Sequence, residues 1–206
     1  VIETILAKTL LNVVFFGPPG AGKGTQAKKL AKKFKLEYVS TGEMIRNEIS
    51  ENTELGIVAK PYLENGDVVP DDIAIRLIER KLKESKNIIG FIFKGFPSTL
   101  VQSYILSGLL KRMDTSVSLV VELKTTTLQS IKRLSARAKT NKARTYDMNT
   151  DIIVHRLEVF EKKTKKVIDF YKQQGKVISF NGDTDEAELY SNLCEVIENA
   201  FKDIRK

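Results

Sequence analysis

The stretch GPPGAGKGT, Gly17 to Thr25, decides the fold. It stands between an apolar run, Asn12 to Phe16, and a segment in which Ala27, Leu30, Ala31 and Phe34 recur at the i, i+3, i+4, i+7 spacing of an amphipathic helix. In that strand-to-helix context glycines let backbone N–H groups converge on phosphate oxygens. The positive end of the helix lies behind them, and Lys23 reaches the terminal phosphates. The residue after Lys23 is Gly24, so the hydroxyl usual there is displaced by one position, to Thr25. The plain alternative, a Gly-Pro-rich turn with no ligand, does not explain why strand, spacing, lysine and helix occur together.

Outward from this loop, four more short runs rich in β-branched and aromatic residues follow: Glu37 to Val39, Ile88 to Phe93, Val117 to Leu123 and Lys176 to Phe180. Most are apolar on both faces, as buried parallel strands are. Helical patterns alternate with them. Ile75, Ile78 and Leu82 follow the start signal Pro70-Asp71-Asp72, and Ser40-Thr41-Gly42-Glu43 reads as a capping box opening a helix toward Arg46. A long helix is predicted from Asp151 to Gln174, with Ile153, Leu157, Phe160, Thr164, Val167 and Tyr171 on one stripe. The segment Lys139 to Thr150 reads as a polar, mobile loop. Strand-helix alternation implies the α/β class: a parallel sheet with helices on both faces, and ligand sites beyond the carboxyl ends of the strands.

With 206 residues, the chain is one domain with a sizeable core. No apolar run approaches the ~20 residues that span a bilayer. The net charge of +8 favours polyanionic partners, which include nucleotides, nucleic acid and anionic membrane surfaces. Nucleic acid is disfavoured because Phe91, Phe93, Phe96 and Tyr104 follow core spacing and do not interleave with a basic stripe. The single cysteine, Cys194, falls in a helical pattern beside Leu193 and Ile197 and reads as a packed thiol. It suits a reducing compartment, so the expectation is a cytoplasmic protein, with an organelle left open by a sequence that starts at Val1.

GPPGAGKGTQA resembles the opening motif of adenylate kinases and their nucleoside monophosphate kinase relatives. The similarity continues in STGEMIR (Ser40 to Arg46), NGDVVPDD (Asn65 to Asp72), GFPSTLVQ (Gly95 to Gln102), RLSAR (Arg133 to Arg137) and the pair Arg144 and Arg156, and spans Asn12 to about Ala200. The resemblance implies a three-layer phosphate-loop kinase fold on a five-stranded parallel sheet. Its core would be residues 12–39, 71–132 and 148–204, with a nucleoside monophosphate lobe at 40–70 and a short lid at 133–147. It also implies a monomer that moves a phosphoryl group from MgATP to AMP to give two ADP. Mg²⁺ would come with the ATP, and neither nucleic acid nor membrane would be a partner.

By the same resemblance, Lys23, Arg137, Arg144 and Arg156 would be catalytic. ATP would lie on Gly17, Pro18, Pro19, Gly20, Ala21, Gly22, Lys23, Gly24 and Thr25, with Arg133 and Arg137. AMP would lie on Thr41, Gly42, Arg46, Val69, Gly95, Gln102, Arg144 and Arg156. No protein ligand for a metal is assigned, and the lid has no cysteines for a zinc site. Five of the nine arginines in a chain with twenty-five lysines fall at these positions, Arg133 among them. Planar, bidentate phosphate recognition explains why lysine has not replaced them. His155, the one histidine, reads as a surface or lining residue rather than a general base.

The pattern breaks in three places. Relatives generally read Asp-Gly-Phe-Pro-Arg-Thr where this chain reads Lys94-Gly95-Phe96-Pro97-Ser98-Thr99. A carboxylate that orients magnesium-bound water becomes a cation, and an arginine on the acceptor phosphate becomes a short hydroxyl, forfeiting about 1.5–3 kcal/mol of charge-assisted bonding. Thr145-Tyr146-Asp147 stands where the family often has Asp-Asp, with one extra residue before Arg156. Lys94 has three explanations: it points away, it binds donor phosphate in partial place of Mg²⁺, or it marks a nucleotide-binding relative without catalysis. The exchange predicts an impaired or repurposed kinase. A catalytically silent nucleotide-binding module and a kinase for another nucleoside monophosphate stay open beside it.

Overall fold

The computed structural model describes residues 10–204. In chain order the elements are β1 (Leu11–Phe16), α1 (Lys23–Phe34), β2 (Glu37–Ser40), α2 (Thr41–Ser50), α3 (Glu54–Asn65), α4 (Asp71–Glu84), β3 (Gly90–Lys94) and α5 (Leu100–Lys111). There follow β4 (Leu119–Lys124), α6 (Thr127–Ala138), a 3-10 turn (Thr145–Asp147), α7 (Thr150–Val159), a π-helical stretch (Phe160–Thr164), α8 (Lys165–Gln173), β5 (Val177–Asn181) and α9 (Glu186–Asp203).

The sheet is parallel throughout, in the order β2-β3-β1-β4-β5. Strand periodicity divides its side chains between two cores. Val14, Phe16, Phe91, Phe93 and Val120 pack on one face against Leu77 and Ile78 of α4, Leu106 and Leu110 of α5, and Val167 and Tyr171 of α8. Val13, Phe15, Ile92 and Val121 pack on the other against Leu30 of α1 and Leu193 and Ile197 of α9. Each such aromatic or aliphatic side chain taken out of water contributes about 1.5–3 kcal/mol. Cys194 is buried in the second core, as expected of a packed thiol.

Several strands lie one or two residues further along than their apolar runs suggest. Ladder pairing draws in the polar ends: Lys94 is in register with both Phe15 and Ser40, and Lys124 with Asn181. The carboxyl end of the sheet is therefore lined with polar side chains. The edge strand β5 leaves Ile178 40% exposed, so two-sided burial holds for β1 and not for every run.

Four local expectations need correction. The long helix at 151–174 is interrupted by the π-helical turn at Phe160–Thr164, which carries Thr164 to within 3.5 Å of the Ser98 carbonyl. Ser40 makes no capping bond to α2; its Oγ lies 3.4 Å from Lys94 Nζ, and the Glu43 carboxylate turns to Lys28 and Tyr38. Tyr104 is not core: it is 62% exposed and meets Phe170 edge-on. The segment 139–150 is anchored at its centre, where Tyr146 and Asp147 are buried.

Candidate active site

The loop between β1 and α1 is shaped by close packing. Gly17, Gly20 and Gly22 all have positive φ, and a Cβ on Gly20 would stand 2.9 Å from the Ser130 carbonyl of α6. Gly22 caps α1 in the left-handed conformation, leaving Lys23 and Gly24 in its first turn with Thr25 exposed beside them. Ala21 is buried, and Pro18 and Pro19 form the rim. Lys23 Nζ donates to the carbonyls of Gly17 (2.5 Å) and Pro18 (2.7 Å). This holds it across the mouth of the loop, where phosphate oxygens would compete for the same donor.

The facing wall is the end of β3. Gly95, at φ +80°, passes so close to α2 that a Cβ there would be 2.8 Å from Thr41 Oγ1, which donates to the Gly95 carbonyl at 2.7 Å. Gly42, one turn ahead of Arg46, leaves room for that guanidinium: a Cβ would lie 3.4 Å from Nη1. Ser98 Oγ donates back to the same Gly95 carbonyl, at 2.8 Å. Thr99 caps α5 and so brings Gln102 into the wall. Gln102 is buried, its Oε1 accepting from the Ser98 amide (2.6 Å) and its Nε2 donating to Asp71 (2.8 Å). Beyond these two bonds the amide keeps one hydrogen and one lone pair. Val69 is buried nearby in the core. Between the walls a cavity of about 180 Å³ is lined by Pro19, Lys23, Gly66, Gly95, Ser98 and Arg156.

The third side comes from α6, the 3-10 turn and α7. Arg137 clamps Asp147 with Nε and Nη2, both at 2.7 Å, and Arg156 adds a bond at 3.0 Å, so the wholly buried carboxylate orients two guanidinium groups. Tyr146 Oη accepts from Arg46 (3.1 Å) and from Arg144 (3.2 Å), and the Arg156 guanidinium stacks 4.6 Å over its ring. Neither role was read from sequence. The break at Thr145-Tyr146-Asp147 was the available signal, but burial in a polar segment is decided by packing. Arg133 approaches the loop from its outer flank, donating to Gly182 O (2.9 Å) and Gly20 O (3.5 Å) and pairing with Asp183 (3.4 Å). His155 lies at the surface, 2.7 Å from Asp67.

These groups share one electrostatic field. Burial, and then Lys94, Arg156, Arg137 and Arg144, hold the Lys23 ammonium well below the usual lysine range. Burial lowers Arg144 and Arg156 as well, although a guanidinium stays charged at any working pH. Burial first, then Arg144, pushes Lys94 down to about 8. Against the burial that raises it, Lys28 and Lys94 hold the Glu43 carboxyl below its ordinary value. Six cations, Lys23, Arg46, Lys94, Arg137, Arg144 and Arg156, thus crowd a chamber in which Asp147 and Glu43 are interleaved. Such a cluster is stable beside a polyanion and strained without one.

The described residues give the chamber no all-protein cage for a divalent cation. Among the described residues no group of three or more His, Cys, Asp or Glu converges, and the side chain leaving β3 toward the loop is an ammonium.

A glycine cradle at the switch point of a parallel sheet, faced by convergent guanidinium groups, defines a phosphate-loop kinase of the three-layer α/β class. Comparison with known proteins narrows the class. The family model for adenylate kinase matches residues 15–176. The chain is 37% identical to an adenylate kinase of Azobacteroides pseudotrichonymphae genomovar. CFP2, over 94% of this chain and 100% of that protein. It is 32% identical to one from Methanosarcina barkeri (91% and 99%) and 37% to one from Mycobacterium marinum (85% and 94%). The chain belongs to the adenylate kinase family.

Proposed function

We propose that this nucleoside monophosphate kinase transfers the terminal phosphoryl group of ATP reversibly to AMP, giving two ADP. The observation that carries the reading is the convergence of Lys23, Arg46, Arg137, Arg144 and Arg156 on one chamber between the loop and the end of β3. Phosphoryl transfer asks for alignment of two phosphates, neutralisation of the moving group and exclusion of water, all of which cations on rigid elements can supply.

In this reading the loop amides from Gly17 to Thr25 cradle the donor phosphates, and Lys23 leaves the Gly17 and Pro18 carbonyls to follow the transferring group. Arg133 covers the donor base. Arg46 takes the acceptor phosphate, with Thr41, Gly42, Val69, Gly95 and Gln102 forming the acceptor base pocket. Arg137, Arg144 and Arg156 neutralise charge on the moving group. Residues 40–70 act as the acceptor lobe and 133–147 as a short lid over the core. Any Mg²⁺ enters as part of the substrate. The enzyme works as a monomer on soluble nucleotides, in the cytoplasm. No helix among the described residues is long and apolar enough to cross a membrane. Lys94 and Ser98 favour a reduced rate, and the same two residues support the second reading, a nucleotide-binding relative without turnover.

The test is initial ADP formation from ATP with AMP, UMP or CMP as acceptor, against Lys23→Met. AMP-dependent turnover that Lys23→Met lowers by about 10³-fold or more supports the proposal. Turnover only with a pyrimidine acceptor moves the specificity. No turnover in a sample shown to bind ATP favours the second reading.

A further inference from the structure

Lys94 ends β3 between β1 and β2, in register with Phe15 and Ser40, so its side chain leaves the sheet beside the phosphate loop. It points inward. A Cβ placed on Gly24 would lie 3.8 Å from Lys94 Cε and 3.9 Å from Nζ, which sets the ammonium against the first turn of α1, one residue from Lys23. Its hydrogen-bond partner is a neutral one at long range, Ser40 Oγ at 3.4 Å. The carboxylate it senses, Glu43, is committed to Lys28 at 2.9 Å and to the Tyr38 hydroxyl at 3.1 Å. Arg144, Arg46 and Arg137 repel it. A mostly buried ammonium with this surrounding is arranged for an anion that arrives from outside.

A divalent ion on a nucleotide's phosphates works against that arrangement in two ways. It removes negative charge that the cationic chamber would otherwise meet, and it places a doubly charged ion in the same space as an ammonium that cannot act as its ligand. A compact ammonium with three donors can instead bond the phosphate oxygens directly.

We propose that Lys94 takes the place of the divalent cation, so that this chain binds the polyphosphate of ATP and ADP metal-free and Mg²⁺ weakens that binding. The inference rests on the chamber being the nucleotide site. It makes Lys94 the residue that sets which form of the nucleotide is recognised.

The experiment is calorimetric titration of the full chain with ATP, and separately with ADP, in EDTA and in excess MgCl₂ at matched ionic strength and pH 7. Wild type should bind about 10-fold or more tightly in EDTA. Lys94→Asp should reverse the preference. Lys94→Met should lose most of the EDTA-side affinity while changing the Mg²⁺-side value little, and it carries the test if Lys94→Asp does not fold by circular dichroism. Tighter binding of wild type in Mg²⁺, or an unchanged EDTA preference in Lys94→Met, would overturn the proposal while leaving a nucleotide site in place. No binding of either nucleotide in either medium would overturn the nucleotide reading itself, and this inference with it.

Discussion

The phosphate loop and the end of β3 are two walls of one chamber, and they are built on different principles. The loop is a backbone device: its course is set by glycines at positive φ, two of them pinned by neighbours, Gly17 against the Leu123 carbonyl and Gly20 against Ser130. The β3 wall, Gly95 apart, is a side-chain device, in which Lys94, Ser98 and Gln102 project toward the chamber from positions that are not tied to glycine. A backbone device cannot drift without loss of packing, whereas a side-chain device can change sign while the fold stands. The resemblance read from the sequence is accordingly closest across the loop, and Lys94 and Ser98 depart from it.

Gly17→Ala should have the largest effect on either wall. A Cβ at that site, on a backbone with φ +142°, meets the Leu123 carbonyl well inside contact distance. A loss of about 4 kcal/mol in urea unfolding is expected. A loss under ~1 kcal/mol would show that the loop is as tolerant as the other wall.

Asp147→Ala ranks next. It leaves Arg137 and Arg156 without their shared carboxylate, and because Arg156 is largely buried the expected loss is about 3 kcal/mol. Stability unmoved by this change would mean that the cations are screened and not held by a buried anion.

The opposite sign is expected on the side-chain wall. Lys94 falls from its ordinary 10.5 to about 8, chiefly through burial and then Arg144, with Arg46, Arg137 and Lys23 facing it and Glu43 partly offsetting them. A cation whose value drops on folding destabilises the fold below pH 8, and that penalty is relieved as the pH rises toward 10.5. Lys94→Met should therefore be more stable than wild type at pH 7, by an amount on the order of 1–3 kcal/mol. The gap should close by about pH 10, which parallel melts across the range would measure.

The smallest effect sharpens the third side of the chamber. Tyr146→Phe deletes the hydroxyl that accepts from Arg46 and Arg144, for a loss of about 1 kcal/mol. With both arginines released, KM for AMP should fall several-fold. A raised KM would make the phenol a helper of acceptor binding and not its competitor.

What could be read without coordinates follows the same division. The loop announces itself because backbone geometry demands glycine, and Gly17, Gly20 and Gly22 all adopt the positive φ that only glycine takes freely. The strands were legible because burial writes apolar runs, most fully in β1, whereas the bidentate contact of Arg137 is with the buried Asp147 carboxylate, a partner the sequence did not mark. The burial of Tyr146 and Asp147 was not legible, since nothing local separates them from the polar residues around them. The direction of Lys94 depends on register with Phe15 and Ser40, which is a tertiary fact. The Ser40 side chain likewise turns to a residue distant in sequence, Lys94 at 3.4 Å, and makes no cap.

If both walls belong to one nucleotide site, they serve one continuous polyphosphate path. The most direct measurement is calorimetric titration with a bisubstrate analogue in which two adenosines are joined through a polyphosphate chain, compared with ATP alone. One continuous path predicts affinity about 10²-fold or more above that of ATP, because the second half binds as an intramolecular event. Affinity no greater than that of ATP would place the β3 wall outside the nucleotide site.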